Sequence, residues 1–515
     1  LRHDNRRDTG KAARWPLLLL LAGAGIYLYL NLFGSHHTPF LLAGDQVYFW
    51  MDAQRMLDGE RIYRDFLQFT PPGTDLLYFA LFKLFGLHTA VANAAVLALG
   101  VAFCWLCFSI ASEIMERRSA LLATALFLVL IYGQALNGTH HWFSVLAIMG
   151  AVRAAMAKIT AGRIAVAGVL LGVASFFNQT HGTAGLVAFA IFLLWRHSRT
   201  KQSSLHLLRD QALLLSVSMA ALLLLNAHSI AAIGLRQLWY FQVTYPEKYI
   251  APLSQGQLLG LPGPLSWRTL PRLSPYLAVY LLLPIVYVGT LWQCWRQRNN
   301  PLFAWDRVAL LSTVGLFLLM EVALSLNWLR LYAVSIPGII LLIWTFERLP
   351  KIRHYTTVLV WIAVICLAVR QTVSRHVKQP LRIQLPGGAI TTTPEKYEKL
   401  HWLALHTRPG EPFFDAGSPG LYLPLHLRNP LYLDTLSPAD ATRPQQIEQL
   451  IEQIKRTPVQ FIFWTPHLDS GCDPARRCED RLTPFRDYLH SHYARVQVFS
   501  DGETVWQRVG KAEEY

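Results

Sequence analysis

The segment Pro71-Pro-Gly-Thr-Asp-Leu-Leu-Tyr-Phe-Ala-Leu-Phe-Lys-Leu-Phe85 is followed almost at once by Thr89–Ser112, TAVANAAVLALGVAFCWLCFSIAS. The second run carries no charged side chain. At a helical rise of about 1.5 Å per residue it is long enough to cross a hydrocarbon core of about 30 Å. The first offers only Leu76–Phe85, roughly half the length needed to span, and it follows two prolines. It is expected to lie as a helix at the membrane interface. If it crossed instead, every later connection would change sides.

The same length criterion, applied outward, gives eleven spans: Trp15–Phe33, Thr89–Ser112, Ser119–Ala135, Trp142–Met156, Ile164–Phe177, Gly182–Trp195, Gln211–His228, Tyr276–Trp292, Val308–Leu326, Leu331–Phe346 and Thr356–Val369. Alternate connections differ in charge. One side holds 20 Lys and Arg in six short segments, among them Arg117, Arg153, Arg209 and Arg307, and the other holds nine before the last span. Cations concentrate in cytoplasmic loops, so the N-terminus is expected inside and everything beyond Val369 outside. The first span has no small-x-small site after it and is expected to remain uncleaved.

Composition agrees with this reading. The 515 residues are 53% hydrophobic and only 15% charged, with a mean hydropathy of +0.29. Disordered, collagenous, coiled-coil and disulfide-scaffold classes are excluded. The net charge of +15 does not indicate nucleic-acid binding. From Leu381 onward there are 15 Lys and Arg against 17 Asp and Glu, so the excess of 32 against 15 belongs to the spanning half. No nucleic-acid partner is expected.

The chain thus reads as a polytopic α-helical membrane protein with two parts. Residues 1–378 carry the spans, with a first external loop at 34–88 and a long one at 229–275. Residues 379–515 form an external α/β domain, with helices at Pro394–His406, Arg443–Arg456 and Arg481–His492. Its strands are expected at Glu411–Asp415, Leu431–Leu433, Val459–Trp464, Arg495–Phe499 and Thr504–Arg508. Asp415-Ala-Gly-Ser-Pro-Gly has turn chemistry after a strand but lacks a nucleotide fingerprint. Cys472 and Cys478 would lie in an oxidising compartment, where a disulfide between them is expected.

In the first external loop, Asp45–Gly59 fits an amphipathic helix. Val47, Trp50, Ala53 and Leu57 share one face, and Asp45, Tyr48, Asp52 and Arg55 share another. The polar stripe would then face a cavity, unless Asp45 serves only as the helix N-cap.

Gly44-Asp45-Gln46-Val47-Tyr48, the stretch Ala53-Gln-Arg-Met-Leu-Asp-Gly-Glu-Arg-Ile-Tyr-Arg-Asp-Phe66, then Thr70-Pro-Pro-Gly73 and Leu84-Phe-Gly86 together resemble the first external loop of C-type glycosyltransferases. That superfamily includes protein O-mannosyltransferases and aminoarabinose transferases. The resemblance implies a multi-span enzyme of a bacterial cytoplasmic membrane, with a polyprenyl-phosphate sugar as donor. The acceptor, whether protein, lipid or polysaccharide, is left open. It maps the family's loop acid, the base or acceptor-orienting group, onto Asp45. Many members have a second acid next to it, where this chain has Gln46. They also often carry an acid at the outer start of the fourth span, where this chain reads Gly138-Thr-His-His-Trp142.

The chemistry implied is an inverting displacement at an anomeric carbon, with a carboxylate receiving the acceptor proton. The leaving lipid phosphate needs cations. Arg330 is the first candidate, with snorkelling beside Trp328 and Tyr332 as its bland alternative; Arg64 and Arg55 follow. Tyr48, Asp52, His140, His141, Gln179 and His181 are candidates for sugar or acceptor contact. The histidines and glutamine read equally as interfacial polar residues. A divalent metal has no recognisable ligand motif here, and no cofactor is assigned. The rival functions are a transporter or flippase of lipid-linked sugars, and a non-catalytic member of the same fold. Transporters place charge mid-membrane in repeated halves. This sequence shows no paired halves, and Glu321 is its main charge within a span.

Overall fold

The computed structural model describes residues 15–157, 159–200, 203–250, 266–298, 300, 305–323, 328–348, 353–437, 442–457, 459–469 and 480–509. Cys472 and Cys478 lie outside the described residues. The chain forms two compact units. One comprises Leu1–Leu32, Ala95–Asn226 and Gln257–Arg375, and the other Phe33–Ala94, Ala227–Gly256 and His376–Tyr515. The second unit gathers the 33–94 and 227–256 segments with the C-terminal region.

The first unit is built of helices, and the expected apolar runs fall in helical segments. They run Trp15–Leu32, Thr89–Ala111 (entering from the second unit), Arg117–Leu126, His140–Ala155, Ala161–Phe177, Gln179–Thr200, Ser204–Leu225, Leu270–Arg296, Trp305–Ala323, Ile336–Glu347 and Arg353–Lys378. On length and composition alone, Thr89–Ala111, Ser204–Leu225 and Thr357–Lys378 suffice to cross a bilayer. The unit's exterior is apolar: Leu19, Ile26, Leu224, Ile285 and Leu359 each expose more than 60% of their surface. A contiguous apolar coat of this kind is costly in water and natural in lipid.

Two local features depart from a plain run of spans. The expected span Leu331–Phe346 is broken into Trp328–Ala333 and Ile336–Glu347. Pro337 lacks an N–H and is tolerated only in the first turn of a helix, so the chain restarts at Ile336. Arg330 therefore sits on a short helix of its own. Elsewhere Gly168-Val-Leu-Leu-Gly172 brings two helices into backbone contact. A Cβ at Gly172 would lie 2.6 Å from the Ser218 carbonyl oxygen, and one at Gly168 would lie 3.0 Å from that of Leu214. Small residues four apart permit this close crossing.

Arg307 donates to the Met156 and Glu113 carbonyls at 2.9 and 2.8 Å and pairs with the Glu113 carboxylate at 3.1 Å. Arg153 reaches that carboxylate at 3.5 Å. Three connections that loop charge assigns to one side thus meet at one ionic cluster.

The second unit is built on a four-stranded sheet in the order β3-β4-β6-β5, with β3 Phe413–Asp415, β4 Phe461–Trp464, β5 Tyr493–Val498 and β6 Thr504–Arg508. β3 and β4 are parallel, while β6 runs antiparallel to β4 and to β5. Successive residues of β4 alternate between two cores. Ile462 and Trp464 pack with Leu450, Ile454 and Phe485 from the helices Pro444–Arg456 and Thr483–His492. Phe461 and Phe463 pack with Leu400 and Leu403 of Pro394–His406, and with Leu41 and Met51 of the first external loop. A strand covered on both faces reads as an unbroken apolar run, which Phe-Ile-Phe-Trp is.

The hairpin of β1 Leu381–Leu385 and β2 Gly388–Thr392 was not anticipated, although Pro386-Gly387 between alternating residues is a turn signal. The strand expected at Leu431–Leu433 is absent. The buried Asn429 side chain accepts from Leu431 N and donates to Leu433 O, both at 3.0 Å, and so takes the groups a ladder would have used.

Candidate functional site

In the second unit, the first-loop helix runs Gln46–Leu57. It ends in a Schellman turn at Gly59 (φ +94°), with Glu60 N donating to Arg55 O and Gly59 N to Met56 O, both at 3.1 Å. The Gly-Glu-x-x-Tyr-x-Asp stretch that follows is a clasp. Glu60 accepts from Arg55 at 2.7 and 2.9 Å. Tyr63, buried and in the left-handed region (φ 67°), donates to Thr70 O at 2.6 Å and stacks on Phe241. Asp65 accepts from Arg61 N and holds the Arg64 guanidinium through two bonds of 2.8 Å.

Asp45 occupies the N-cap position without a capping side-chain bond, and it is exposed. The capping alternative is therefore not its role in this structure. Beside it, Gln46 is fully buried and donates to the Ala43 carbonyl at 3.0 Å. A carboxylate at that position would have no proton to give.

The rest of the polar stripe does not face an open cavity. Asp52 is fully buried, and Gln68 bridges it to Asp75 by bonds of 2.8 and 3.1 Å from one amide nitrogen. Arg55, 2% exposed, lies over the Phe66 ring and pairs with Glu60 and with Asp434 at 3.3 Å. Tyr48 is half-buried, with its hydroxyl 3.3 Å from that of Thr435. Burial pushes that phenol up to about 12. The reason for these placements is tertiary: Gln68, Asp75, Asp434 and Thr435 supply polar partners that let the stripe pack inward. Among the candidate phosphate ligands here, Arg64 alone keeps an exposed guanidinium, held by Asp65.

Burial raises Asp52 well above the ordinary carboxylate range, and the neighbouring Asp75 charge adds to it. Burial likewise raises Asp75, Asp434 and Asp415. A carboxyl whose pKa is higher folded than unfolded binds more protons when folded. Its contribution to stability is full below the unfolded value and is lost as pH rises through the folded one. The thermal midpoint of this unit is therefore expected to fall as pH rises from about 5 to about 8. Asp75→Asn should flatten that slope, and an unchanged slope would contradict this account. The midpoint is read by differential scanning fluorimetry.

In the first unit a second group converges. His140 and His141 open the helix His140–Ala155, with ring centroids 4.0 Å apart, and His141 lies 5.1 Å from His181. The Asn178 amide nitrogen donates to His141 Nδ1 at 3.1 Å, and its carbonyl oxygen takes the backbone N–H groups of Thr180 and His181. Ser144 donates to the His141 carbonyl and so accepts from His181 Nδ1 at 2.8 Å. His181 Nε2 then lies 3.3 Å from the Glu321 carboxyl. The short helix Trp328–Ala333, which carries Arg330, packs against His140–Ala155 and Trp305–Ala323, the helices of the two histidines and Glu321. Gln179 is half-buried beside them in sequence.

The carboxylate of this group comes from Glu321, since Gly138–Trp142 has none. Sequence reasoning missed Ser144, whose only signal was its place one turn after His140 and His141. It also missed Gln68, Asp75 and Asp434, of which only Asp75, opening a helix after Pro-Pro-Gly, had a visible context. Among the described residues no cluster of three His, Cys, Asp or Glu is arranged to hold a metal ion.

No family model matches the sequence, and no curated protein does. Solved structures do match. ArnT from Cupriavidus metallidurans bound to undecaprenyl phosphate is 14% identical, with a TM-score of 0.57 over 97% of this chain and 99% of that one. Archaeal oligosaccharyltransferase AglB from Archaeoglobus fulgidus, in complex with an inhibitory peptide and a dolichol-phosphate, is 10% identical. Its TM-score is 0.54 over 98% of this chain and 75% of that one. At these identities the likeness concerns the fold alone, shared over nearly the whole of this chain.

Proposed function

We propose that this chain is a membrane glycosyltransferase. It moves a sugar from a polyprenyl-phosphate carrier to an acceptor at the outer face of a bacterial cytoplasmic membrane, with the second unit on the periplasmic or extracellular side. The observation that carries the reading is the fold match over nearly the whole chain, to structures holding undecaprenyl phosphate and dolichol-phosphate. The exposed Asp45 at the start of a firmly anchored loop helix fits the part of base. The acceptor hydroxyl attacks the anomeric carbon as the bond to the lipid phosphate breaks, and Asp45 receives the hydroxyl proton. Configuration at that carbon inverts.

Arg330, close to a histidine-rich group, is the proposed cation for the leaving phosphate, with Arg64 second. His140, His141, Gln179 and His181 are the proposed sugar contacts, and Tyr48 is the one that remains from the first-loop stripe. Asp52 and Arg55 drop out of the proposed site because their side chains are buried against protein partners.

The test is donor consumption by purified protein across a panel of polyprenyl-monophosphate sugars, with lipid phosphate release read by mass spectrometry. Release that depends on an added cell-envelope acceptor is expected. Donor bound but never cleaved would overturn the reading and favour carriage of a lipid-linked sugar.

A further inference from the structure

The Asp415-Ala-Gly-Ser-Pro-Gly segment plays no part in the reaction above, yet it borders a cleft of about 160 Å³ in the second unit. The cleft opens at the carboxyl ends of the parallel strands β3 and β4, where Asp415 ends one and Thr465 follows the other. In open α/β sheets this is where ligands bind, because strand ends present side chains and backbone groups that no further ladder uses. Leu41, Leu42, Ala43 and Val47 of the first external loop form one wall.

Asp415 is 2% exposed. One of its carboxyl oxygens accepts from Gly417 N at 3.1 Å and Ser418 N at 3.0 Å, which fixes the group. Among the described residues the other oxygen has no protein hydrogen bond, and Asp415 lines the cleft. A fixed carboxyl with one oxygen left over can accept a hydrogen bond from a ligand hydroxyl in place of water. Lys396, Lys399, Ser418, Thr465 and Glu503 add donors and acceptors around it. The rest of the lining is apolar, from Leu400, Leu421 and Phe463.

The charges argue against an anion. Lys399 is held by Asp501 and Glu503, and the two lysines of the lining are matched by the carboxyl groups of Asp415 and Glu503, so the cleft offers no excess of positive charge. What the lining matches is a neutral, polyhydroxylated ring with one apolar face. We propose that this cleft binds a saccharide unit, with Asp415 accepting from its hydroxyl groups and Leu421 and Phe463 covering its apolar face. Its role, as the non-reacting part of a glycan acceptor, rests on the transferase reading; the binding itself does not.

The experiment is ligand-observed saturation-transfer NMR on the full chain in nanodiscs without donor lipid. The probes are methyl glycosides of hexoses, pentoses and N-acetylhexosamines, with inorganic phosphate beside them. At least one glycoside should bind in the millimolar range, and its affinity should drop about tenfold or more in Asp415→Ala, which removes the acceptor. Leu421→Trp, which fills the cleft and leaves the carboxyl in place, should abolish binding with the thermal midpoint retained. This second variant keeps the test sound if Asp415→Ala unfolds. No glycoside bound, binding unchanged in Leu421→Trp, or phosphate bound in place of sugar would each overturn the proposal. Donor turnover, assayed separately, reports on the transferase reading alone.

Discussion

Asp45→Asn is expected to lower release of the polyprenyl-linked sugar by about two decades or more while donor binding persists. The substitution keeps shape and hydrogen-bonding capacity and removes only the ability to accept a proton. It should not cost the helix, since Asp45 makes no side-chain capping bond. The helix is secured at its other end by the Gly59 turn and along its length by Asp52, Gln54 and Arg55, with Gln54 donating to the Leu427 carbonyl at 2.7 Å. An unchanged thermal midpoint beside lost turnover would separate chemistry from folding. Equal turnover in both proteins would remove Asp45 from the mechanism. If loss of turnover came with loss of donor binding, its role would be positioning.

Arg55→Leu should be the most destabilising single change in the second unit. The guanidinium is buried among Glu60, Asp434 and the Asp65 carbonyl and lies 4.6 Å from the Phe66 ring centroid. Removing one partner of a buried pair leaves the other charge unpaired, which typically costs about 3–5 kcal/mol. Here two carboxyl groups lose their partner at once. One of them, Asp434, belongs to the C-terminal stretch, so the first external loop should loosen from it. The expected readout is a lower thermal midpoint with proteolytic cleavage appearing in residues 58–70. Arg64→Ala, which removes an exposed pair, should leave the midpoint unchanged. Equal effects from the two variants would show that the buried cluster has no special weight.

Both variants touch a helix whose sequence shows its periodicity but not its environment. Asp45, Tyr48, Asp52 and Arg55 share a face by spacing alone, and a shared polar face ordinarily means solvent. Solvent was the wrong partner for Asp52 and Arg55. Gln68 lies in the same loop, but Asp434 lies far away in sequence, and no local rule connects it to Arg55.

The sequence by itself determined the helices of the first unit, because apolar length and cationic ends are local properties of a chain in lipid. It determined most of the C-terminal elements for the same reason. Pro394–His406 and Thr504–Arg508 carry period and turn chemistry within their own residues, and the helix bounds coincide with those expected. It also placed Asp45 at the start of the first-loop helix, where the structure leaves it exposed. Only the tertiary structure decided which polar groups are buried and with whom. It set Glu321 against His181 from another helix, and it broke the last apolar run but one, so that Arg330 sits on a short helix. It also packed Leu41 and Met51 onto Phe461 and Phe463, and so built one wall of the Asp415 cleft from a loop hundreds of residues earlier. These outcomes depend on contacts between distant segments. Burial energy is a property of both partners at once and is written in neither segment alone.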